Sequence, residues 1–243
     1  MQRLLAVIGT VVVVVGLAAI VGLKLASTPQ PGTVSSATPT ATASRALAEG
    51  CTEPPTPLGT AATLTLPDKK TAAGKTFIAT MTTNCGDIVV TLDGAKAPQA
   101  VASFLQLAQN DYWVNSPCHR LTQTTGLKVL QCGDPTGTGT GGPGYGFAVE
   151  NPPASGAYPR GTLAMARTSD AQKGNGGQFF IVYGDSSLPD PAGYTIFGTV
   201  TQGLDIVDRV AARGVASGSA GPDDGAPAAP ISILRVSVTE KKA

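Results

Sequence analysis

Few residues in this chain have both the type and the spacing to do chemistry. His119 is the single histidine, which leaves no His-rich metal site and only one imidazole for any catalytic triad. It follows Cys118 directly, and adjacent residues of a strand point to opposite faces, so a thiol–imidazole dyad lacks the geometry for its hydrogen bond. No G-x-S-x-G motif occurs, and the spacing of His, Cys, Asp and Glu supports no metal ligation. Gly137-Thr138-Gly139-Thr140-Gly141-Gly142 matches G-x-G-x-x-G after a strand. However, Pro143-Gly144-Tyr145-Gly146 comes next, where a dinucleotide fold needs a helix N-terminus aimed at the pyrophosphate, so a flexible surface loop is expected there instead. What remains is a set of polar residues within strand sequence: Arg120, Gln131 just before Cys132-Gly133-Asp134, and Gln178 beside Phe179-Phe180. A buried-strand arginine costs free energy unless it is paired or used. Arg120 therefore marks either an ion pair, with Asp134 as candidate partner, or a site.

Such residues need strands to hold them, and the pattern supplies short ones. Phe77–Thr82 and Asp87–Leu92 flank the turn signal Asn84-Cys85-Gly86 and read as a hairpin. Pro98 opens a helix, PQAVASFLQLAQ, with Val101, Phe104, Leu105 and Ala108 on one apolar face. A second helix is expected from Gly203 to Gly214, with Val207, Val210 and Ala211 on its stripe and Gly214 as its C-cap. Between the helices lie strands at His119–Leu121, Val129–Cys132, Gly161–Ala166, Phe179–Val182 and Ile196–Val200. After a Gly/Pro/Asp-rich loop at 214–230, the alternating Ile231–Val238 closes the chain as a strand. Many strands around one core, with two helices outside, predict a closed barrel capped by helices.

Charge excludes other classes. With 17 Lys+Arg against 16 Asp+Glu among 243 residues, the basic excess that a nucleic-acid binder needs is missing. Charged residues make up only 14%, while Gly (30) and Pro (19) are abundant, which disfavours long surface helices. Aromatic residues at 5% argue against an aromatic platform for glycans. Part of the low charge comes from residues 4–23, an uninterrupted apolar run long enough to cross a membrane as a helix. Residues 1–25 are read as a transmembrane signal anchor, with a cleaved signal peptide as the alternative; either exports the rest of the chain. Residues 26–76 form a Ser/Thr/Pro-rich linker and N-terminal extension, and 77–240 the folded domain. In an exported domain the cysteines are structural. A Cys118–Cys132 cross-strand bridge with Cys51 stapled to Cys85 is one of three possible pairings.

Taken in order, Cys118-His119-Arg120-Leu121, Gln131-Cys132-Gly133-Asp134, Gly137 to Gly142, Gly161-Thr162-Leu163-Ala164-Met165-Ala166, Gly176-Gly177-Gln178-Phe179-Phe180-Ile181 and Thr195-Ile196-Phe197-Gly198 resemble the cyclophilin family of peptidyl-prolyl isomerases. The resemblance runs from about Phe77 to Val238. It implies a mainly β fold, a closed eight-stranded antiparallel barrel capped by two helices. It also implies Arg120 as the catalytic arginine and Gln131 as the residue binding the substrate backbone. Phe180 would form the floor of a proline pocket with Gln178 beside it, and Ala166 would meet the substrate through its backbone. Phe179 falls on a core position.

Several positions depart from the family pattern. Lys128 stands where many relatives carry an aromatic residue, although Leu127 could take that place if an insertion between Arg120 and Gln131 shifts the hairpin. Val129 replaces a larger methionine. Leu188 and Tyr194 stand where some eukaryotic members have a tryptophan and a pocket histidine, so weaker cyclosporin binding is expected. The implied partners are X–Pro segments of exported proteins, with the membrane engaged through the N-terminal helix. No cofactor, metal or nucleic acid enters this chemistry, and a monomer is expected. The implied activity is prolyl cis–trans isomerisation on the extracytoplasmic side of the cell membrane. The alternative is a cyclophilin-like module that binds proline peptides with little turnover.

Overall fold

The computed structural model describes residues 46–217, 219 and 221–242; the anchor expected at 1–25 and the linker up to 45 lie outside them. In chain order, a short 3-10 turn at Lys69–Thr71 precedes β1 (Thr76–Thr83), β2 (Gly86–Asp93), α1 (Pro98–Gln109), β3 (Ser116–Pro117), β4 (Arg120–Thr122) and β5 (Lys128–Cys132). Next come β6 (Ala157–Tyr158), β7 (Thr162–Arg167), β8 (Asn175–Gly184) and β9 (Ser186–Ser187). The last are β10 (Ile196–Gln202), α2 (Leu204–Ala211), β11 (Asp224–Gly225) and β12 (Ser232–Glu240). Neither helix is long and apolar enough to cross a membrane.

The expected eight-stranded closed barrel is corrected to a ten-stranded antiparallel sheet in the order β11-β4-β5-β8-β7-β10-β2-β1-β12-β3. It curls into a half-barrel whose two ends, β11 and β3, do not pair with each other. The curl has a local cause. Register shifts interrupt the ladders at Thr82/Thr83, Lys128/Val129, Met165/Arg167, Ile196/Gly198 and Val200/Gln202, and each bulge bends its strand and increases twist. The extra strands are the two-residue β3 and β11, which sequence periodicity cannot register because so short a segment has no alternation to read.

Both helices cover the curled sheet, α2 with the face expected of it and α1 with Leu107 buried in place of the expected Leu105. In α1, Val101, Phe104, Leu107 and Ala108 are buried, and Leu105 is half-buried. Its open N-terminus is closed from outside, where the Glu150 carboxylate accepts from the Gln99 and Ala100 N–H groups at 3.0 Å, satisfying donors that have no partner within the helix. Phe104 lies 4.6 Å from Trp113, 6.0 Å from Phe179 and 5.8 Å from Phe197, ring centre to ring centre. In α2, Ile206, Val207, Val210 and Ala211 are buried. This helix ends three residues before the expected Gly214, with Ala212 as its C-cap.

The chain before β1 is regular only at the Lys69–Thr71 turn and is otherwise pinned to the domain. Disulfides join Cys51 to Cys85 and Cys118 to Cys132, which settles the pairing. Asn84 is the junction: its side-chain amide donates to Thr52 O (2.7 Å) and Pro230 O (3.2 Å), and its carbonyl accepts from Ser232 N (2.7 Å). Three distant segments thus meet on one buried side chain. Asn84→Ala leaves the buried Ser232 N–H without its acceptor and removes two further bonds, at about 3 kcal/mol. The melting temperature is expected to fall by about 6–12 °C, with activity per folded molecule unchanged, as calorimetry and a turnover assay on one preparation would show.

Candidate functional site

Strand pairing assembles the site. Arg120 on β4 stands opposite Gln131 on β5, Gln131 opposite Phe180 on β8, and Phe180 opposite Ala164 on β7. Directly opposed residues point to the same face, and so do residues two apart along a strand. Val129 therefore joins Gln131, Gln178 joins Phe180, and Ala166 joins Ala164 on the outer face of the sheet. Phe179 turns the other way, into the core against Phe104 and Trp113.

On that outer face lies a second hydrophobic cluster, separate from the main core: Val129, Tyr158, Ala164, Phe180 and Val182, with Leu127, Ala166, Leu188, Tyr194 and Ile196 packed on it. A pocket of ≈ 180 Å³ opens over it. Phe180, Val129 and Leu127 line the pocket with Leu188 and Tyr194, while Arg120, Gln131, Ala166 and Arg167 complete it. Gln178 lines the adjoining cavity of ≈ 490 Å³ instead, which shares Gln131, Ala166 and Arg167 with the pocket. Leu127 thus occupies the wall, whereas Lys128 is exposed and lies along Gly184. Leu127 takes that place by ordinary alternation with Val129 and Gln131, which leaves Lys128 on the opposite face; the register shift at Lys128/Val129 puts its extra residue, Tyr183, on β8.

The aromatic wall is braced. Phe180 lies 5.8 Å from Tyr194 and 6.2 Å from Tyr158, both near edge-on. The Tyr158 hydroxyl accepts from Tyr194 N (2.8 Å) and donates to Tyr194 O (3.3 Å). Arg167, whose side chain is only 3% exposed, stacks 4.8 Å from the Tyr194 ring centre and pairs with Asp190 at 2.6 Å.

The polar wall is a chain of hydrogen bonds. Arg120 donates to Asp224 through Nε (2.7 Å) and Nη2 (2.8 Å), and to Gln131 Oε1 through Nη1 (3.3 Å). Gln131 donates to Gln178 Oε1 (3.0 Å), and Gln178 donates to the Gly139 and Gly141 carbonyls (3.0 and 2.9 Å). Asp224, not Asp134, is therefore the partner of Arg120. Asp134 is fully buried and organises the glycine loop, accepting from the Thr136, Gly139 and Gly141 N–H groups at 2.8, 2.7 and 3.0 Å. The loop expected to be flexible is thus tied to a buried carboxylate. Gly141 is needed there, because a Cβ would stand 2.1 Å from Asp134 Oδ1.

Ionisation follows from these contacts. The bonds to Asp224 raise the Arg120 pKa above its ordinary value, against a smaller opposing effect of burial. The same bonds hold the Asp224 carboxyl below its usual range. Burial would raise Asp134, but its hydrogen bonds outweigh that effect and lower it. Burial pushes His119 below 6.5, with Asp134 opposing and Arg120 assisting, so the imidazole is neutral at pH 7. Among the described residues, no group of three or more His, Cys, Asp or Glu is placed to hold a metal.

Asp224, Arg167 and Tyr158 escaped the sequence reading. Asp224 sits in an aperiodic Gly/Pro/Asp tract and Tyr158 in a two-residue strand, neither with a local signal. Arg167 had one: a charged residue directly after the apolar run Leu163–Ala166.

Comparison with known proteins accords with this geometry. Residues 78–238 match the family described as "Cyclophilin type peptidyl-prolyl cis-trans isomerase/CLD". The "Probable peptidyl-prolyl cis-trans isomerase B" of Mycobacterium leprae is 45% identical over 185 residues, 69% of this chain and 60% of that protein. A Mycobacterium tuberculosis protein of the same description is 45% identical over 168 residues, 64% of this chain and 52% of its own. The chain thus spans little more than half the length of these relatives. A crystal structure of a Cryptosporidium parvum cyclophilin type isomerase, in the presence of the dipeptide Ala-Pro, aligns at a TM-score of 0.53 and 31% identity, covering 68% of this chain and 99% of that one. With the family model matched over residues 78–238 and the motif residues gathered around the pocket and its adjoining cavity, this chain belongs to the cyclophilin-type peptidyl-prolyl cis-trans isomerase family.

Proposed function

We propose that the domain catalyses cis–trans isomerisation of X–Pro bonds in exported proteins. The observation that carries this reading is a guanidinium held rigidly at the edge of a ≈ 180 Å³ pocket with a Phe180 floor. The X–Pro barrier of about 18–20 kcal/mol comes from amide resonance. Twisting the bond destroys that resonance, pyramidalises the prolyl nitrogen and localises its lone pair. An N–H aimed at the lone pair binds the twisted state better than the planar one, which is the differential binding that catalysis needs. Of the five N–H groups of a guanidinium, Asp224 takes two and Gln131 one, which leaves one on each Nη for substrate. Gln131 holds the neighbouring backbone, the Ala166 backbone aligns the peptide, and Phe180, Val129, Leu127, Leu188 and Tyr194 seat the ring. No proton is transferred.

In the same reading the protein sits at the extracytoplasmic face of the cell membrane, held by residues 1–25. Its support is the apolar run at 4–23 and two disulfides, which persist in oxidising compartments. Lys128, which departs from the family pattern, lies outside the pocket, and Leu127 lines the wall in its stead.

Arg120→Ala is expected to lower kcat/KM on an X–Pro peptide by about 10²–10³-fold while shifting the melting temperature little. Unchanged exchange by NMR would refute the assignment. A second expectation concerns pH. The groups nearest the reacting bond keep one charge state: Arg120 is raised, Asp224 is lowered and His119 is below 6.5. Asp224, depressed by folding, adds stability above its unfolded pKa and loses it only as pH falls through its folded value. Turnover should therefore be level from pH 6.5 to 8, and a step in that window would contradict a mechanism without proton transfer.

A further inference from the structure

We infer that Asp224 is a positioning residue for the isomerisation, fixing the guanidinium of Arg120 from the side opposite the pocket. The inference rests on the function proposed above and adds to it a residue outside the regularly patterned strands.

Arg120 lines two concavities. One is the ≈ 180 Å³ pocket; the other is a shallow depression of ≈ 560 Å³ shared with His119, Thr138, Gly139 and Asp224. Asp224 lines only the second. The guanidinium is thus a partition, with the carboxylate behind it and the pocket in front. An arginine side chain carries about 2 kcal/mol of rotamer entropy, and this one is 40% exposed, so packing alone does not immobilise it. The fork-to-fork pair with Asp224 does, because two parallel charge-assisted bonds fix the guanidinium plane as well as its position. Gln131, at 3.3 Å and through one nitrogen, cannot fix the plane.

The carboxylate is itself held by the chain on either side. β11 adds to the free edge of β4, pairing Asp224 with Thr122 and Gly225 with Leu121. Gln123 N donates to Asp223 O at 2.8 Å, and Ala216 N to Ala226 O at 2.7 Å. The loop thus returns as a flap whose backbone bonds do not involve the Asp224 side chain, so the side chain can be changed without removing them. A competing effect has the opposite sign: the carboxylate neutralises part of the guanidinium field that acts on the prolyl nitrogen. With both groups half-exposed that field is strongly screened, so orientation dominates.

The test uses the full chain and an X–Pro peptide, comparing wild type, Asp224→Asn, Asp224→Ala, Arg120→Ala and the double variant Arg120→Ala/Asp224→Ala. Asp224→Asn should lower kcat about tenfold with KM within about twofold, since loss of orientation acts on the transition state rather than on ring binding. The Arg120 Nε–H signal should lose its protection from solvent exchange in both Asp224 variants, a readout that does not depend on turnover. In the Arg120→Ala background, removing Asp224 should change nothing further, because the two residues act as one unit. Equal or faster turnover in Asp224→Asn would overturn the inference, as would a further loss in the double variant, which would mark Asp224 as merely supporting the loop. An inactive wild type would instead overturn the isomerase reading, and this inference with it. An active wild type with inactive Arg120→Ala and undiminished Asp224→Asn would overturn this inference alone.

Discussion

Strand β8 serves two hydrophobic clusters at once, and its register against β5 decides which residue serves which. Phe179 faces the core of Phe104 and Trp113, while Gln178 and Phe180 face the pocket. Side chains alternate with a period of two, so a slip of one residue would bury Gln178 and Phe180 and expose Phe179. The register is therefore the constraint on which both stability and site depend. Several contacts specify it. Trp113 Nε1 donates to the Gly133 and Gly177 carbonyls, at 3.3 and 3.1 Å, tying the end of β5 to the start of β8. Gly133, at φ +95°, permits the approach, since a Cβ there would stand 2.4 Å from Gly177 O. The Cys118–Cys132 disulfide locks the chain entering β4 to the end of β5.

The polar side of the site is built in the same spirit from two carboxylates with different surroundings. Asp134, without solvent access, is surrounded by N–H and hydroxyl donors and shapes the loop whose carbonyls orient Gln178. Asp224 is half-exposed and orients Arg120 directly. Between them Gln131 and Gln178 complete a continuous line of hydrogen bonds along one edge of the pocket. The opposite edge is aromatic and aliphatic, braced by Tyr158 and by Arg167 stacked on Tyr194. A prolyl ring and its amide have the same two-sided character, which connects the architecture to the chemistry proposed for it.

The elements with a clear period were legible. The hairpin of β1 and β2, the buried stripe of α1, the strand carrying Phe179 to the core, and the cluster of Arg120, Gln131, Phe180, Ala166, Val129, Tyr194 and Leu188 around one pocket all followed from alternation, helical spacing and family motifs. Long-range or aperiodic features were not. Asp134 stood near Arg120 in sequence and was the natural partner by proximity. The true partner, Asp224, comes from 104 residues further along the chain, and no local pattern carries such a pairing. The glycine loop read as mobile because glycine permits mobility. The buried charge that stills it is visible only once Asp134 is seen without solvent.

The amino-acid sequence by itself determined the identity of the longer strands, the side of each that faces the core, and the residue types available to the pocket, because these depend on periods of a few residues. Tertiary structure alone decided that the sheet stays open, with β3 and β11 at its two ends. It also decided that Asp224 holds Arg120. The reason is physical. Edge pairing, bulge placement and ion pairing between distant segments depend on where the backbone closes in space, and that is set by the sum of packing contacts rather than by any local run of residues.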